Sequence, residues 1–232
     1  MQPVKQTVRL ILFDIDGTLM LPKGAGRAST KLAMQEIFNT AGRIDEHHFG
    51  GKTDWYTLVE LLAEEGFSPD DVARVMPDYE QAVARHLEAI IDGFAVEACP
   101  GAHHAVAETR RRPDLLPGIV TGNVSSTAPI KLRAAGYDPA WFAVGAYGSE
   151  AADRNALPFL ALERAERLLG ERIAPQQVVV IGDTPADVAC ARALGAVAVA
   201  VKTGYTPAEE LAATQPDYLL DNLSTFYGTV LL

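Results

Sequence analysis

The sequence predicts an α/β protein with a parallel sheet covered by helices on both faces and a smaller, all-helical appendage. Short apolar runs of strand length recur along the chain, and most are continuous rather than alternating, as in strands buried on both faces. Segments with helical spacing separate the later runs, which favours parallel strands joined by helical crossovers. About a hundred residues, most of them with helical patterns, separate the first run from the second.

The core elements follow from these patterns in chain order. The predicted strands are 8–13, 116–120, 178–181 and 197–201, with 141–144 as a weaker fifth. The predicted connecting helices are 102–110, 127–135, 157–169 and 185–194. Gly195 ends the last of these helices, because glycine readily adopts the left-handed conformation that closes a helix.

The long segment between the first two strands predicts three amphipathic helices. Their apolar positions are Leu32, Ile37 and Phe38, then Trp55, Leu58, Val59 and Leu62, then Tyr79, Val83, Leu87 and Ile90. Proline and glycine punctuate its two edges at 22–26 and 98–101, as in linkers between a core and a mobile cap. We therefore predict a core domain of residues 1–21 and 99–232 and a helical cap domain of residues 22–98.

Composition and charge narrow the functional classes. The chain has 232 residues and a net charge of -10, so it offers no basic surface for nucleic acid or anionic lipid. Cys99 and Cys190 stand far apart in no metal-binding spacing and are interpreted as buried free thiols. No apolar run approaches the roughly 18 residues of a membrane span, and we expect a cytoplasmic protein.

Asp14 and Asp16 are the first candidates for chemistry. Asp14 directly follows a predicted buried strand, and ligands of open parallel sheets collect at the carboxyl ends of strands. In extended backbone the two carboxylates project to the same side, and Gly17 allows the chain to turn after them. Like charges this close need a shared proton or a hard cation such as Mg²⁺. The alternative is a turn in which either aspartate caps local amides.

Three further polar clusters follow later strands. Thr121, Gly122 and Asn123 offer a hydroxyl, a flexible backbone and an amide for an oxyanion, although the same residues suit a plain turn. Arg154 supplies a cation for a phosphate, although it could be a solvated surface arginine. Asp183 and Asp187 lie at a strand end and a helix start, where helix capping is the structural alternative. The convergence of four such clusters on one sheet edge favours a site for a metal and a phosphate.

These motifs resemble those of the haloacid dehalogenase-like hydrolase superfamily, in its phosphoglycolate phosphatase-like branch. The matching residues, in chain order, are Asp14-Ile15-Asp16-Gly17-Thr18, Thr121, Arg154, and Gly182-Asp183 through Asp187. The helical insert stands where that superfamily places its cap, so the resemblance spans the whole chain. It implies a Rossmann-like, three-layer core beneath the cap.

The resemblance also implies roles for these residues. Asp14 would attack phosphorus, and Asp16 would protonate the leaving oxygen and then activate water. Thr121 would bind the phosphate and Arg154 would stabilise it. The implied Mg²⁺ ligands are the Asp14 side chain, the Asp16 backbone carbonyl and Asp183, with Asp187 in support. The implied substrate contacts are Thr18, Gly122 and Asn123.

Two departures from the superfamily pattern bear on these roles. The third motif is more often lysine, and here the best match is Arg154, which keeps the charge but presents a fork instead of a point. Lys131 stands too early in the sequence and on a predicted helix, so Arg154 is preferred. Asp16 argues against the dehalogenases of this superfamily, because their second motif position is not an acid.

The cap contributes a further candidate segment. Gly50-Gly51-Lys52-Thr53-Asp54 resembles a substrate-specificity loop, in which Lys52 and Thr53 would meet the substrate. The alternative is a helix start with Thr53 as the N-cap, and both can hold together. The adjacent pairs His47-His48 and His103-His104 offer no chelate, because neighbouring side chains diverge.

The sequence therefore predicts a Mg²⁺-dependent phosphatase of a small phosphate ester that works through an aspartyl-phosphate on Asp14. One alternative is a phosphomutase of sugar phosphates, which would return the phosphoryl group to its substrate. The other is a phosphate-binding protein without catalysis. The sequence names neither the particular ester nor the oligomeric state.

Overall fold

The central feature of the fold is a six-stranded parallel sheet. The computed structural model describes residues 8–231, so residues 1–7 and 232 of the predicted core domain lie outside the described part. The strands of this sheet are β1 (Leu10–Phe13), β4 (Leu116–Thr121), β5 (Val144–Tyr147), β6 (Val178–Gly182), β7 (Val197–Val201) and β8 (Tyr218–Leu220). Their order is β5-β4-β1-β6-β7-β8, which makes β1 an interior strand between β4 and β6.

Helices cover both faces of the sheet. They are α4 (Ala102–Arg111), α5 (Ala128–Ala134), α6 (Leu157–Leu169), α7 (Pro185–Leu194), α8 (Ala208–Ala213) and α9 (Phe226–Val230). Leu10 and Leu12 pack in one apolar cluster with residues of α6 and α7, and Ile11 and Phe13 pack in another with α4, α5 and α9. The predicted α/β class and its three layers are confirmed. Within residues 8–231, every helix is too short or too polar to cross a bilayer.

The segment between β1 and β4 carries three helices with an apolar core of their own. They are α1 (Ala25–Phe38), α2 (Asp54–Ala63) and α3 (Pro69–Ile90). Two short antiparallel strands, β2 (Met20–Leu21) and β3 (Glu97–Ala98), pair where the chain leaves and re-enters the core. We refer to residues 22–98 as the cap, and the domain boundaries themselves stay a prediction.

Several element bounds differ from the sequence patterns. The fifth strand was expected at 141–144 but begins at Val144, because Pro139–Trp141 forms a short 3-10 helix that Asp138 caps. Helix α1 begins inside the expected linker at 22–26. The pairing of β2 with β3 was not predicted, nor were β8 and the short helices α8 and α9, since elements of two to six residues carry little periodicity.

Leu12 tests the contribution of the interior strand to stability. It is 0% exposed, whereas Leu168 on α6 is 58% exposed. We expect Leu12→Ala to lower the free energy of unfolding by about 2–5 kcal/mol, because it removes buried apolar contacts and leaves a cavity. Leu168→Ala, the same chemical change on the surface, should cost less than about 0.5 kcal/mol. Urea denaturation of both variants measures the difference, and equal losses would contradict the burial of β1.

Candidate active site

The site lies at the carboxyl edge of the sheet, where three neighbouring strands end side by side. Phe13 at the end of β1 is in register with Ile119 of β4 and Ile181 of β6. Asp14 follows β1 directly, Thr121 ends β4, and Asp183 follows β6. Parallel pairing therefore brings residues from distant parts of the sequence to one edge of the sheet.

Three buried aspartates form the centre of the site. Asp14 is 4% exposed, Asp183 is 4% and Asp187 is 2%. Each offers a carboxylate oxygen, and these oxygens lie within 4.8 Å of one another. Arg154, itself buried, donates from Nη2 to Asp187 Oδ1 at 2.5 Å and to Asp14 Oδ1 at 3.1 Å. One cation against three carboxylates leaves a formal charge of about minus two in a water-poor environment if all three ionise, which is costly.

The pKa values of these groups report that cost. Burial raises the pKa of Asp14 to about 7, against the lowering effect of Arg154 and with a further rise from Asp187. Burial, together with the charges of Asp187 and Asp14, raises the pKa of Asp183 well above its ordinary value. Burial alone would lower the pKa of Arg154, but Asp187 and Asp14 raise it, so the guanidinium stays charged. When ionised, the three carboxylates of the cluster therefore carry more negative charge than Arg154 balances.

Glycines pack directly against these carboxylates. A Cβ on Gly17 would lie 2.3 Å from Asp183 Oδ2, and one on Gly204 would lie 1.7 Å from the same atom. A Cβ on Gly182 would lie 2.0 Å from the Asp187 carboxyl carbon. Gly17 also has φ +85°, which disfavours a side chain for a second reason. Side chains at these positions would displace the carboxylates from the cluster.

The donor set fits a hard divalent cation. Carboxylate oxygens are the ligands that Mg²⁺ takes in proteins, and a charge of plus two matches the imbalance left after Arg154. Thr18 lies near this group as well, with Oγ1 at 3.5 Å from Asp183 Oδ1. Asp187 Oδ2 accepts hydrogen bonds from Thr184 N and Oγ1, so Asp187 also fixes the start of α7.

Arg154 uses a single nitrogen for both of its ion pairs. Nη2 makes both carboxylate contacts, while Nε is buried with no hydrogen-bond partner among the described residues. The guanidinium therefore acts on the aspartates as a point charge and not as a two-pronged fork. This geometry is compatible with either cation at a position where the resembled superfamily more often has lysine.

A second polar group lies beside the aspartate cluster and centres on Asp16. Asp16 Oδ2 accepts from Lys131 Nζ at 2.6 Å and from Asn123 Nδ2 at 2.8 Å. Asn123 Nδ2 also donates to Thr121 Oγ1 at 2.8 Å, and Asn123 Oδ1 accepts from Lys131 Nζ. Asp16 Oδ1 is buried without a hydrogen-bond partner within residues 8–231. One oxygen of this carboxylate is thus held in place and the other is free.

Lys131, which the superfamily pattern left aside in favour of Arg154, also enters this site. Lys131 is only 4% exposed, and its ammonium reaches the site from α5, one helix after β4. The sequence signal was a lysine at a position where the helical pattern expects an apolar side chain. The long side chain carries the charge far from its backbone, so position 131 by itself did not indicate which residue the ammonium would contact.

A cavity of about 720 Å³ lies between the aspartates and the cap. Its lining joins core residues such as Asp14 and Lys131 to cap residues such as Arg27. Of the predicted substrate contacts, Lys52, Gly122 and Asn123 line the cavity, whereas the buried Thr18 and Thr53 are not among the described residues that line it. Lys52 Nζ pairs with Glu60 at 2.5 Å. The cavity is therefore bounded by the nucleophile candidate on one side and by the cap on the other.

The first turn of α2 joins the cap to the core loops. Thr53 is the N-cap of α2, as one of the two sequence interpretations predicted, and its Oγ1 also donates to Ala152 O at 2.8 Å. Asp54 N donates to Gly122 O at 2.7 Å, and Asp54 Oδ2 accepts from Val124 N at 2.9 Å. A Cβ on Gly122 would lie 2.0 Å from Lys52 O. Gly122 thus permits this close approach of cap to core.

Asp54 gives the cap contact a pH dependence. Burial raises its pKa from 3.8 to about 6, although the charge of Lys131 and the bond from Val124 N lower it. As pH rises from about 4, the unfolded chain ionises this group before the folded chain does. The contribution of Asp54 to the free energy of unfolding is therefore fully present below pH 4 and falls as pH rises to about 6.

We expect Asp54→Asn to remove this dependence while keeping an acceptor for Val124 N. Relative to the native chain, the variant should gain stability between pH 4 and pH 7. Urea denaturation of both proteins at pH 4, 5, 6 and 7 measures the gain. A stability difference that is the same at every pH would show that Asp54 titrates normally.

Fold and site together define a class of protein. A doubly covered parallel sheet with buried aspartates, a buried cation and a capped cavity at the ends of its strands suits a hydrolase of small anionic esters. The HAD-hydrolase-like family matches residues 134–226 of this chain.

Comparison with known proteins agrees with this class. A phosphoglycolate phosphatase of Synechococcus elongatus is 30% identical over 225 residues, which cover 96% of this chain and 97% of that protein. A phosphoglycolate phosphatase of Chromobacterium violaceum is 28% identical, with 95% of each chain covered. The crystal structure of CbbY from Rhodobacter sphaeroides in complex with phosphate shares the fold with a TM-score of 0.72 at 20% identity, covering 94% of this chain and 96% of that one.

The chain belongs to the HAD-like hydrolase family. The predicted superfamily and the predicted enzyme class, a phosphoric monoester hydrolase, are both confirmed.

Proposed function

We propose that this chain is a Mg²⁺-dependent phosphatase that hydrolyses a small phosphomonoester through a phosphoryl group carried on Asp14. One observation supports this above the others. Two carboxylates two residues apart each have a cation of their own, Arg154 for Asp14 and Lys131 for Asp16. Their environments differ, and a pair of carboxylates in different environments can divide the work of nucleophile and general acid/base.

In the first step, a carboxylate oxygen of Asp14 attacks phosphorus and the bond from phosphorus to the ester oxygen breaks. Asp16 donates a proton to that leaving oxygen from Oδ1, the oxygen that its neighbours leave free. The alcohol departs, and the phosphoryl group remains on Asp14.

In the second step, Asp16 accepts a proton from water and the water oxygen attacks phosphorus. The bond between Asp14 and phosphorus breaks, which releases inorganic phosphate and restores the carboxylate. Arg154 stabilises charge on Asp14 when the carboxylate leaves. Thr121, which lines the cavity beside Asp14, would donate its hydroxyl hydrogen to a phosphate oxygen. Asn123 would hold Asp16 in place instead of making its predicted phosphate contact, because Asp16 and Thr121 already accept both hydrogens of its Nδ2.

Asp14, Asp183 and Asp187 would hold the Mg²⁺, with the Asp16 backbone carbonyl as a further ligand. When bound, the ion supplies positive charge that balances the buried carboxylates and the phosphate together. The cap residues Lys52 and Thr53 would contribute to closing the cavity over the substrate, and Thr18 would help to hold Asp183.

The names of the relatives suggest which ester to test first. Both are phosphoglycolate phosphatases, so we propose 2-phosphoglycolate as a substrate of this chain. A phosphomutase is the second hypothesis from the sequence, and it would convert one sugar phosphate into another without net release of phosphate. A cytoplasmic location stays a prediction.

We expect Asp14→Asn to lower the rate of phosphate release by a factor on the order of 10⁴ or more, because an amide cannot serve as the nucleophile. Release by the native chain should require Mg²⁺ and stop with EDTA. A phosphate assay with 2-phosphoglycolate measures both effects, with Asp78→Asn, an exposed aspartate of α3, as control. Near-native release by Asp14→Asn would exclude the proposed chemistry.

Arg154 variants test the point-charge arrangement. Arg154→Lys should keep kcat within about tenfold of native, since one nitrogen makes both carboxylate contacts. Arg154→Met should lose at least about a hundredfold in kcat and several kcal/mol of stability, because it leaves buried carboxylates without their cation. Steady-state kinetics and denaturation measure the two losses. Equal kcat values for the lysine and methionine variants would contradict this role.

A further inference from the structure

Lys131 has one hydrogen-bond donor more than its neighbours use. Its ammonium carries three N–H groups. In the described part of the chain, Asp16 and Asn123 accept two of them. The side chain is 4% exposed and lines the cavity, so the third donor is shielded from bulk water. A buried ammonium with an open donor is a strong site for an anionic oxygen.

The cavity leaves room for such an oxygen beside Lys131. A Cβ on Gly26, in the first turn of α1, would lie 3.2 Å from Lys131 Nζ. Gly26 has an ordinary helical backbone, and glycine within a helix costs roughly 1 kcal/mol relative to alanine. The absence of a side chain at Gly26 therefore provides space next to the ammonium and serves no backbone conformation.

The other cations of the cavity are engaged elsewhere. Arg27 donates to the carbonyl oxygens of Ile44 and His47. Lys52 pairs with Glu60, and Arg154 pairs with Asp14 and Asp187. These cations also retain unused donors, but among the described residues that line the cavity Lys131 alone lies within ion-pair distance of Asp16.

The position of Lys131 relative to Asp16 fixes which part of a substrate it would meet. In the proposed function, Asp16 Oδ1 contacts the ester oxygen at about 2.6–3.2 Å. Lys131 Nζ lies 2.6 Å from the other oxygen of the same carboxylate. The ammonium is therefore within reach of a substituent on the carbon that carries the ester oxygen.

We propose that Lys131 is a specificity-determining residue that binds a carboxylate one carbon from the ester oxygen. This inference rests on the proposed function and names its substrate class, phosphate esters of 2-hydroxy acids. A substrate carboxylate at this place would be repelled by Asp16, and the ammonium between the two offsets that repulsion. Substrate selectivity then depends on Lys131 of the core helix α5 as well as on residues of the cap.

Three substrates and three variants test the proposal. The substrates are 2-phosphoglycolate, ethyl phosphate, which replaces the carboxylate by a methyl group, and the phosphate ester of 3-hydroxypropionate, which moves the carboxylate one carbon away. The variants are Lys131→Met, Lys131→Arg, and Arg133→Met as a control that removes an exposed cation from the same helix. The measured quantity is the ratio of kcat/KM for each acid to kcat/KM for ethyl phosphate.

The native chain should prefer 2-phosphoglycolate to ethyl phosphate by roughly 10- to 100-fold, the range of a hydrogen bond to a charged group. Lys131→Met should bring this ratio close to one, Lys131→Arg should retain most of it, and Arg133→Met should leave it unchanged. The preference for the phosphate ester of 3-hydroxypropionate should be small in every protein. Because the quantity is a ratio, a general loss of catalysis through Asp16 cancels from it.

Two results would overturn the proposal while leaving the phosphatase itself intact. One is a native chain that releases phosphate from ethyl phosphate as well as from 2-phosphoglycolate. The other is a folded Lys131→Met variant that loses activity equally on both, which would limit Lys131 to holding Asp16. If Lys131→Met does not fold, the native ratio and the Lys131→Arg ratio decide. Failure of phosphate release from every ester would instead count against the proposed function.

Discussion

The structure depends on a charge imbalance at the carboxyl edge of the sheet. Asp14, Asp183 and Asp187 are buried together around Arg154, which can neutralise only one of them. Such a cluster needs protons or a bound cation to complete the balance, since isolated buried charges are expensive. The central position of β1 makes the arrangement rigid, because strands on both sides hold the backbone that leads into Asp14. The cluster therefore lowers stability locally, and a bound cation, as proposed, would offset that cost.

The two cations divide the site into two halves with different work. Arg154 pairs with Asp14 and Lys131 with Asp16, so in the proposed mechanism the first half faces phosphorus and the second faces the leaving group. Asn123 connects the second half back to Thr121 at the end of β4, so the orientation of Asp16 is tied to the sheet. The cap contributes through Asp54, which bonds the loop that carries Asn123. Closure of the cavity and alignment of Asp16 are therefore linked through residues 122–124.

Much of this arrangement follows from local sequence. Continuous apolar runs predicted the parallel sheet, because strands buried on both faces have no polar face to alternate with. Polar residues directly after those runs, such as Asp14 and Asp183, predicted the site edge, because parallel strands end together. Helix bounds at Leu157–Leu169 and Pro185–Leu194 agreed with their periodicity. Roles for individual side chains came from the family resemblance and not from the patterns themselves.

Other features depend on contacts that no local pattern encodes. Lys131 enters the site because α5 packs beside β4 and its side chain is long enough to reach Asp16, and neither fact is written in residues near position 131. In the sequence, Asp54 is an ordinary acidic residue in the first turn of a helix. Its hydrogen bond with Val124 N, which joins the cap to a core loop, is evident only in the structure. The strand pairing of β2 with β3 involves two residues each, too few for any periodicity.

That small sheet has a consequence for how the chain could change over time. Met20 pairs with Ala98 and Leu21 with Glu97, so the segment between β1 and β4 leaves and returns at one point. The entropy of closing such a loop grows only with the logarithm of its length, and doubling the length costs roughly 0.6 kcal/mol. An insertion anchored in this way can lengthen, shorten or be exchanged at little cost to the sheet. The residues at the strand ends can therefore stay unchanged during evolution while the cap above them varies in size and sequence.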